Sequence, residues 1–140
     1  MYKIFIIILS LLLPQQLLAK NINIDIKVDV SEQKMYVSEN NKPIYEWDVS
    51  TARQGKVTPR GQFSPKFLSK NHKSSLYNNA PMPFSIFYYG NFAIHGTLDI
   101  DKLGRPASAG CVRLHPDNAE ILFNMVQNTS FDKIRILVQD

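Results

Sequence analysis

The chain has 140 residues, of which 44% are hydrophobic and 20% are charged, and its formal net charge is +4 at pH 7. This composition is that of one ordinary globular domain, and it excludes a disordered or collagen-like chain. The basic residues form no block, so the sequence gives no indication of nucleic-acid binding.

The first element in the chain is an apolar N-terminal segment. Lys3 is followed by an apolar run from Ile4 to Leu13, and a small residue, Ala19, comes shortly afterwards. The apolar run is shorter than the roughly 20 residues that a membrane-spanning helix needs. A positive start, a short apolar run and a small residue are typical of a cleaved export signal. We therefore expect residues 1–19 to be a signal peptide cut after Ala19, with an uncleaved N-terminal anchor as the alternative.

Alternation of apolar and polar residues predicts that the chain continues as a β domain. A first strand is expected from Ile22 to Val30, where apolar residues recur at every second position. Met35–Val37 and Ile44–Val49 predict two more strands around a turn at residues 39–41.

The middle of the chain predicts short strands and one long loop. Phe63–Leu68 is compatible with a short strand, and polar residues 69–83 predict a long loop. Ser85–Tyr89 and Phe92–His95 predict a hairpin with its turn at residues 90 and 91.

One helix and a closing strand are predicted near the C-terminus. Ile121, Leu122, Met125 and Val126 form an apolar stripe on a helix over residues 118–128. Asp117 is expected as its N-cap, because Glu120 follows at the spacing of a capping box. Ile134, Ile136 and Val138 alternate and predict the closing strand. Together these patterns predict a single, mostly β domain over residues 22–139, with one main helix near its end.

Cys111 is the only cysteine of the chain, so it has no partner for an intrachain disulfide. A free cysteine is often a small buried hydrophobe, but its neighbours here suggest chemistry. Gly110 allows a tight turn directly before the thiol, and backbone amides around such a turn can stabilise an oxyanion. Arg113 adds a cation, which can lower the pKa of a thiol or bind a carboxylate. These features favour Cys111 as a nucleophile.

A cysteine nucleophile needs a base, and the chain has three histidines. His95 ends an apolar run and precedes Gly96, His72 lies in the predicted polar loop, and His115 precedes the predicted helix. The positions alone do not decide among the three. No cluster of metal ligands or Gly-rich phosphate loop stands out, so no cofactor is expected.

Two linked motifs resemble a known family. His95-Gly96 is separated by a segment of ordinary loop length from Ser108-Ala109-Gly110-Cys111-Val112-Arg113. This arrangement resembles the signature of the L,D-transpeptidase catalytic domain. Thr58-Pro59-Arg60-Gly61-Gln62-Phe63 is similar to that family's T-P-x-G-x-F turn, and residues 72–85 are similar to its loop before the catalytic histidine.

The resemblance implies a β-sandwich-like domain that acts on peptidoglycan stem peptides. Cys111 would attack the diaminopimelate carbonyl of a stem tetrapeptide and release D-Ala, with His95 as the base. Gly96 or Thr97 would support the histidine, and Gly110 would shape the turn at the nucleophile. The acyl group would then pass to an amine, which cross-links the exported cell wall.

Further residues are implied as substrate contacts. They are Arg113, Ser108, Tyr77, His72 and Thr97. For Arg113 the alternative is a structural ion pair with Asp117 or Glu120. For Tyr77 the alternative is plain loop packing.

One position departs from the family pattern. Ala109 stands where the family's commonest form, S-H-G-C, has a histidine. This difference leaves open which molecule accepts the acyl group and whether the domain is catalytic. The alternatives are an L,D-carboxypeptidase that uses water, a hydrolase that releases a wall-attached lipoprotein, and a non-catalytic peptidoglycan-binding domain. A small secreted β domain whose cysteine pairs with a partner protein is a fourth.

Overall fold

The computed structural model describes residues 21–140, and the predicted signal peptide at residues 1–19 lies outside them. The described residues form nine strands, one α-helix and two single-turn 3-10 helices. In chain order the strands and the helix are β1 (Ile24–Asp29), β2 (Lys34–Glu39), β3 (Lys42–Asp48), β4 (Gly61–Phe63), β5 (Phe67–Lys73), β6 (Pro81–Tyr89), β7 (Phe92–Gly96), β8 (Val112–Leu114), α1 (Pro116–Gln127) and β9 (Ile134–Gln139).

The strands form two sheets. The first has the order β3-β2-β1-β9-β4, and the second has the order β5-β6-β7-β8. Most neighbours are antiparallel, but β1 pairs with β9 and β7 pairs with β8 in parallel. The predicted fold class, a mostly β domain with one main helix near the C-terminus, is confirmed.

One hydrophobic core joins the two sheets and the helix. In β1 every second residue is buried, from Ile24 to Val28, which is the alternation that the sequence predicted. Ile86 and Ile94 from the second sheet belong to the same cluster, as does Leu122 from α1. Burial of such side chains contributes about 1.5–3 kcal/mol each relative to exposure.

Both predicted hairpin turns are confirmed. Asn40 and Asn41 have φ values of 50° and 64°, the left-handed conformation that a two-residue hairpin turn requires and that asparagine tolerates. The second turn, at Gly90 and Asn91, joins β6 to β7 with Tyr89 opposite Phe92.

The single strand predicted over Phe63–Leu68 is wrong, because this stretch divides between the two sheets. β4 ends at Phe63 and pairs with β9, whereas β5 begins at Phe67 and pairs with β6. Pro65 lies between them, where it lacks the N–H that a continuing strand would need.

The predicted long loop over residues 69–83 is also wrong in its extent. β5 continues to Lys73 and β6 begins at Pro81, so that only residues 74–80 form the loop. β5 is the edge strand of its sheet, and most of its residues are exposed or half-buried. Its polar composition therefore reflects solvent at a sheet edge rather than a loop.

The helix begins earlier than predicted, with a different cap. Its first residue is Pro116, and the N-cap is His115, whose Nδ1 accepts a hydrogen bond from the Asp117 amide at 3.1 Å. Proline suits the first helical position because its missing N–H would have no partner there. The prediction of Asp117 as N-cap is therefore wrong.

Candidate active site

The parallel pair β7–β8 carries the predicted nucleophile and base. His95 lies opposite Arg113, and Ile94 lies opposite Val112. Cys111 directly precedes β8, so it lies diagonally from His95 across adjacent strands. Diagonal neighbours in a sheet have Cα atoms about 7–8 Å apart, a separation that long side chains can bridge.

The two faces of this strand pair differ. Ile94 and Val112 belong to the core cluster, whereas Ala93 belongs to a second cluster against which Cys111 packs. Alternation along the strands places His95 with Ala93 on the face away from the core.

A cleft of about 590 Å³ opens on that outer face. Six of the nine residues predicted for the site line it: Tyr77, His95, Thr97, Ser108, Cys111 and Arg113. The remaining three, His72, Gly96 and Gly110, do not line the cleft.

Cys111 is half-buried against apolar side chains. Its thiol lies 3.8 Å from the Asn91 carbonyl oxygen, and it packs against the apolar cluster of Met82, Phe87 and Ala93. Burial raises the pKa of the Cys111 thiol above its ordinary value, and the Ala93 backbone and the Arg113 charge oppose that shift. Burial therefore disfavours the thiolate form of Cys111 in the resting site.

An unusual backbone conformation in β6 contributes to this apolar wall. Phe84 has a φ of 55°, which a bulky residue seldom adopts. Met82 and Phe87 are five positions apart, so strict alternation would place them on opposite faces of the sheet. They share one cluster instead, with Phe84 interrupting the alternation between them.

His95 is buried, with 5% of its surface exposed. Its Nδ1 lies 2.7 Å from the Gly96 carbonyl oxygen. A carbonyl can only accept, so Nδ1 carries the proton and Nε2 keeps its lone pair in the neutral ring. Burial, with the charges of Arg113 and His72, lowers the pKa of His95 to about 4, although the Gly96 carbonyl opposes this shift.

The turn before Cys111 is fixed by hydroxyl groups. Ser108 Oγ donates to the Cys111 carbonyl at 2.6 Å and accepts from the Gly110 amide at 3.0 Å. Thr58 Oγ1 donates to the Gly110 carbonyl at 2.9 Å. Ser108 is only 1% exposed, so its contacts hold the turn, and the Gly110 amide is engaged by this hydroxyl.

Both predicted glycines occupy positions that resist a side chain. Gly110 has a φ of 138°, and a Cβ there would lie 2.5 Å from the Phe92 ring and 2.9 Å from the Val57 carbonyl oxygen. A Cβ at Gly96 would lie 3.1 Å from both Pro116 and Pro83. Close packing of the helix start against β7 therefore depends on Gly96.

Arg113 does not form the ion pair that was considered with Asp117 or Glu120. Its Nη1 lies 4.0 Å from the Asp99 carboxylate, at the limit for an ion pair, and its side chain is 24% exposed. Asp117 instead lies beside His115 at the helix start. The guanidinium thus keeps donors directed towards the cleft that it lines.

The other two histidines have different surroundings. His115 caps α1 and lines a separate cleft with Trp47. His72 lies on β5 rather than in a loop, and its ring packs edge-on against Phe87 with centroids 4.9 Å apart. His72 is nevertheless close enough for its charge to lower the pKa of His95.

Tyr77 belongs to the short loop between β5 and β6. The Ser74 hydroxyl accepts hydrogen bonds from the Leu76 and Tyr77 amides at 3.2 and 3.1 Å. This serine turn orients both side chains towards the cleft, where they form one wall.

Sequence reasoning missed two charged residues of the cleft, Arg53 and Asp99. Neither belongs to a motif with the cysteine or the histidine, and each reaches the cleft from a separate loop. An isolated charge in a loop gives no signal in one sequence.

Within residues 21–140, no set of three or more His, Cys, Asp or Glu side chains is grouped so that it could hold a metal ion. The same part of the chain contains no helix long and apolar enough to cross a membrane.

Three comparisons with known proteins agree. The family described as YkuD, L,D-transpeptidase catalytic domain, matches residues 23–136. The protein named "Putative L,D-transpeptidase YqjB" from Bacillus subtilis (strain 168) is 26% identical over 132 residues, with 78% of this chain and 75% of that protein covered.

Two solved structures have the same fold. An L,D-transpeptidase from Mycobacterium smegmatis superimposes with a TM-score of 0.75 at 20% identity and covers 85% of this chain. L,D-transpeptidase 3 from Mycobacterium tuberculosis, in complex with a faropenem-derived adduct, has a TM-score of 0.74 at 14% identity and also covers 85% of this chain. This chain spans only 59% and 61% of those two solved chains. Because the family match extends over most of the sequence, the chain belongs to the YkuD family of L,D-transpeptidase catalytic domains.

Proposed function

We propose that this protein is a peptidoglycan L,D-transpeptidase in which Cys111 is the nucleophile and His95 is the base. The Cys111 sulfur attacks the diaminopimelate carbonyl of a stem tetrapeptide, and a thioester forms as the bond to the terminal D-Ala breaks. An amine of a second stem peptide then attacks the thioester, forms the cross-link and restores the thiol.

The observation that carries this proposal is the shared position of Cys111 and His95 on the outer face of β7–β8, in one cleft. Nucleophile and base must come within hydrogen-bond reach during the reaction, although resting geometry is often looser. Cys111 and His95 lie diagonally across two hydrogen-bonded strands, so the backbone keeps the two residues at a fixed separation.

The resting site is best described as a neutral pair. The pKa of His95 is lowered and the pKa of Cys111 is raised, in each case mainly by burial. A preformed thiolate–imidazolium pair is therefore disfavoured. His95 Nε2 takes the thiol proton as the sulfur attacks, and it delivers this proton to the departing D-Ala amine.

The remaining predicted residues have supporting roles in this proposal. Arg113 binds a substrate carboxylate, while Tyr77 and Thr97 contact the peptide along the cleft. Ser108 and Gly110 shape the turn that presents the thiol, and Gly96 orients His95 through its carbonyl. His72 does not line the cleft, and it supports the apolar wall through its contact with Phe87.

The family's site of action, the cell wall, fits the export signal expected at residues 1–19. We propose that the mature protein, whose catalytic domain spans residues 22–139, works in the periplasm or an equivalent exported location without stable insertion in the membrane. Its partners are peptidoglycan stem peptides, and a wall-attached lipoprotein is an alternative acyl partner. The reaction as proposed uses no cofactor.

Water as the acceptor gives the second candidate function, an L,D-carboxypeptidase or a hydrolase. Ala109 lines the cleft where the family's commonest form has histidine, so this part of the cleft is wider than a histidine would leave it. A wider cleft admits water to the thioester more readily. A third candidate, a non-catalytic wall-binding domain, would need the Cys111 and His95 pair only for packing.

Incubation of the mature protein with disaccharide-tetrapeptide, followed by mass spectrometry, separates these candidates. Cross-linked dimer with released D-Ala supports the transpeptidase. Tripeptide without dimer supports the water-using enzyme. Unchanged tetrapeptide that nevertheless binds the protein supports the binding domain.

The structural relative that holds a faropenem-derived adduct suggests a second assay. A thiol with a neighbouring base should open a penem ring in the same way that it attacks a peptide carbonyl. We therefore expect Cys111 to form a covalent adduct with faropenem.

A further inference from the structure

Asp99 has an unusual position in the cleft. Among the cleft-lining residues in the described part of the chain it is the one carboxylate, and Arg53 and Arg113 are the two permanent cations. The cleft therefore presents both signs of charge to a substrate, whereas an anchor for a carboxylate alone would need only the cations.

The Asp99 carboxylate is only loosely engaged by the protein. Arg113 Nη1 lies 4.0 Å away and Lys102 Nζ lies 3.6 Å away, and both distances are longer than those of charge-assisted hydrogen bonds. The side chain is 54% exposed and does not cap the short 3-10 helix that follows it. Its oxygens are therefore free to accept hydrogen bonds from a ligand.

The backbone holds Asp99 in place independently of its carboxylate. The Asp99 amide donates to Thr97 Oγ1 at 3.1 Å, and the Asp99 carbonyl accepts from the Lys102 amide at 3.0 Å. A substitution that removes only the negative charge should thus leave the loop in position.

The proposed substrate carries a matching pair of charges. The side chain of diaminopimelate ends in a zwitterion, with an ammonium and a carboxylate on one carbon. Building on the proposed function, we propose that Asp99 binds the ammonium of the donor's diaminopimelate side chain while Arg113 binds the adjacent carboxylate. Asp99 is then a specificity-determining residue for the donor rather than a catalytic one.

The spacing of Cys111 and Arg113 along the chain supports the proposal that Asp99 binds the donor peptide. Cys111 and Arg113 are two positions apart on the same face, a separation of about 6.6 Å along a strand. A donor whose carbonyl lies at Cys111 can extend its aliphatic side chain over this distance to the Arg113 and Asp99 pair.

The test compares two donor peptides, the diaminopimelate tetrapeptide and the same peptide with its side-chain amine acetylated. Each is mixed with excess diaminopimelate tripeptide as the acceptor, because the acetylated peptide has no amine to take the acyl group and the tripeptide has no D-Ala to release. The wild-type protein should release D-Ala from the acetylated donor with a kcat/KM about tenfold lower, because a charge-assisted hydrogen bond is lost. Asp99→Asn should reduce kcat/KM about tenfold for the natural donor, mainly through KM, and less than twofold for the acetylated one. Asp99→Glu should recover part of the loss.

Asp101→Asn is the matched control, because it removes an exposed carboxylate of the same short helix that does not line the cleft. This variant should behave as the wild type with both donors. Equal losses in Asp99→Asn with the two donors would show a structural role and overturn the proposal, as would equal rates of the wild type with both donors. A wild-type protein that releases no D-Ala from either peptide would overturn the proposed function itself.

Discussion

The two faces of the β7–β8 pair provide the clearest comparison in this molecule. Ile94 and Val112 face the core, where both are essentially inaccessible to solvent. Their immediate neighbours in sequence, His95 and Cys111, face the cleft. One pair of strands therefore contributes to the core on one side and carries the proposed nucleophile and base on the other. Replacing adjacent residues should then have different effects.

The largest expected effect is on activity, from the outer face. His95→Asn removes the proposed base, and it should lower the rate of D-Ala release by about 10²–10⁴-fold, the usual contribution of a positioned base. The amide of asparagine can still donate towards the Gly96 carbonyl, so the midpoint of thermal unfolding should change little. His72→Asn and His115→Asn are the controls, and each should retain at least about a tenth of the wild-type rate. A larger loss in either control than in His95→Asn would reassign the base.

The matching substitution on the inner face should affect stability. Ile94→Ala leaves a cavity in the core, and the free energy of unfolding in urea should fall by about 2–5 kcal/mol. The remaining folded protein should release D-Ala at close to the wild-type rate per folded molecule. Loss of activity without loss of stability in this variant would contradict the division between the two faces.

A turn residue should combine both effects. Gly110→Ala puts a Cβ against the Phe92 ring and the Val57 carbonyl in a conformation that side chains disfavour. We expect a loss of about 2–4 kcal/mol in unfolding free energy, together with slower acylation because the thiol is displaced. Gly55→Ala is the control, since that glycine also has positive φ but meets nothing within 4 Å. Equal losses in the two variants would show that the close approach at Gly110 is unimportant.

The smallest expected effect is the pH dependence of stability. The folded pKa of His95, about 4, lies below its ordinary value near 6.5, so the unfolded chain binds the proton first on acidification. Stability from this residue is complete above about pH 6.5 and is lost as the pH falls towards 4. Between pH 7 and pH 5 the loss is on the order of 1–2 kcal/mol. The free energy of unfolding in urea should fall less on acidification in His95→Asn than in the wild type. The same pH dependence in both proteins would contradict the lowered pKa of His95.

The strands that the sequence could predict are those in which apolar and polar residues alternate. Strands with one buried face, such as β1 and β9, have a period of two and were predicted closely. β5 could not be recognised in this way, because an edge strand exposed to solvent is as polar as a loop. The helix cap was misassigned because His115 takes a role for which sequence patterns favour Asp or Ser.

The residues of the candidate site likewise fall into those that the sequence could predict and those that it could not. Cys111 and His95 were predicted because a unique thiol, its Gly-Cys turn and a strand-end histidine leave a signal in the sequence, which the family resemblance made specific. Arg53 and Asp99 could not be predicted, because their position in the cleft arises from loops that meet only in the folded chain. The hydrogen bond from the Thr58 hydroxyl to the Gly110 carbonyl likewise joins residues 52 positions apart in the sequence.

The most direct test of the account is the intact mass of the protein after incubation with faropenem. The wild type should gain one covalent adduct, and Cys111→Ala should gain none while it keeps the same thermal unfolding midpoint. His95→Asn should acquire the same adduct much more slowly. An adduct of equal yield on Cys111→Ala, or none on a wild-type protein whose thiol is shown to be free, would contradict Cys111 as the nucleophile.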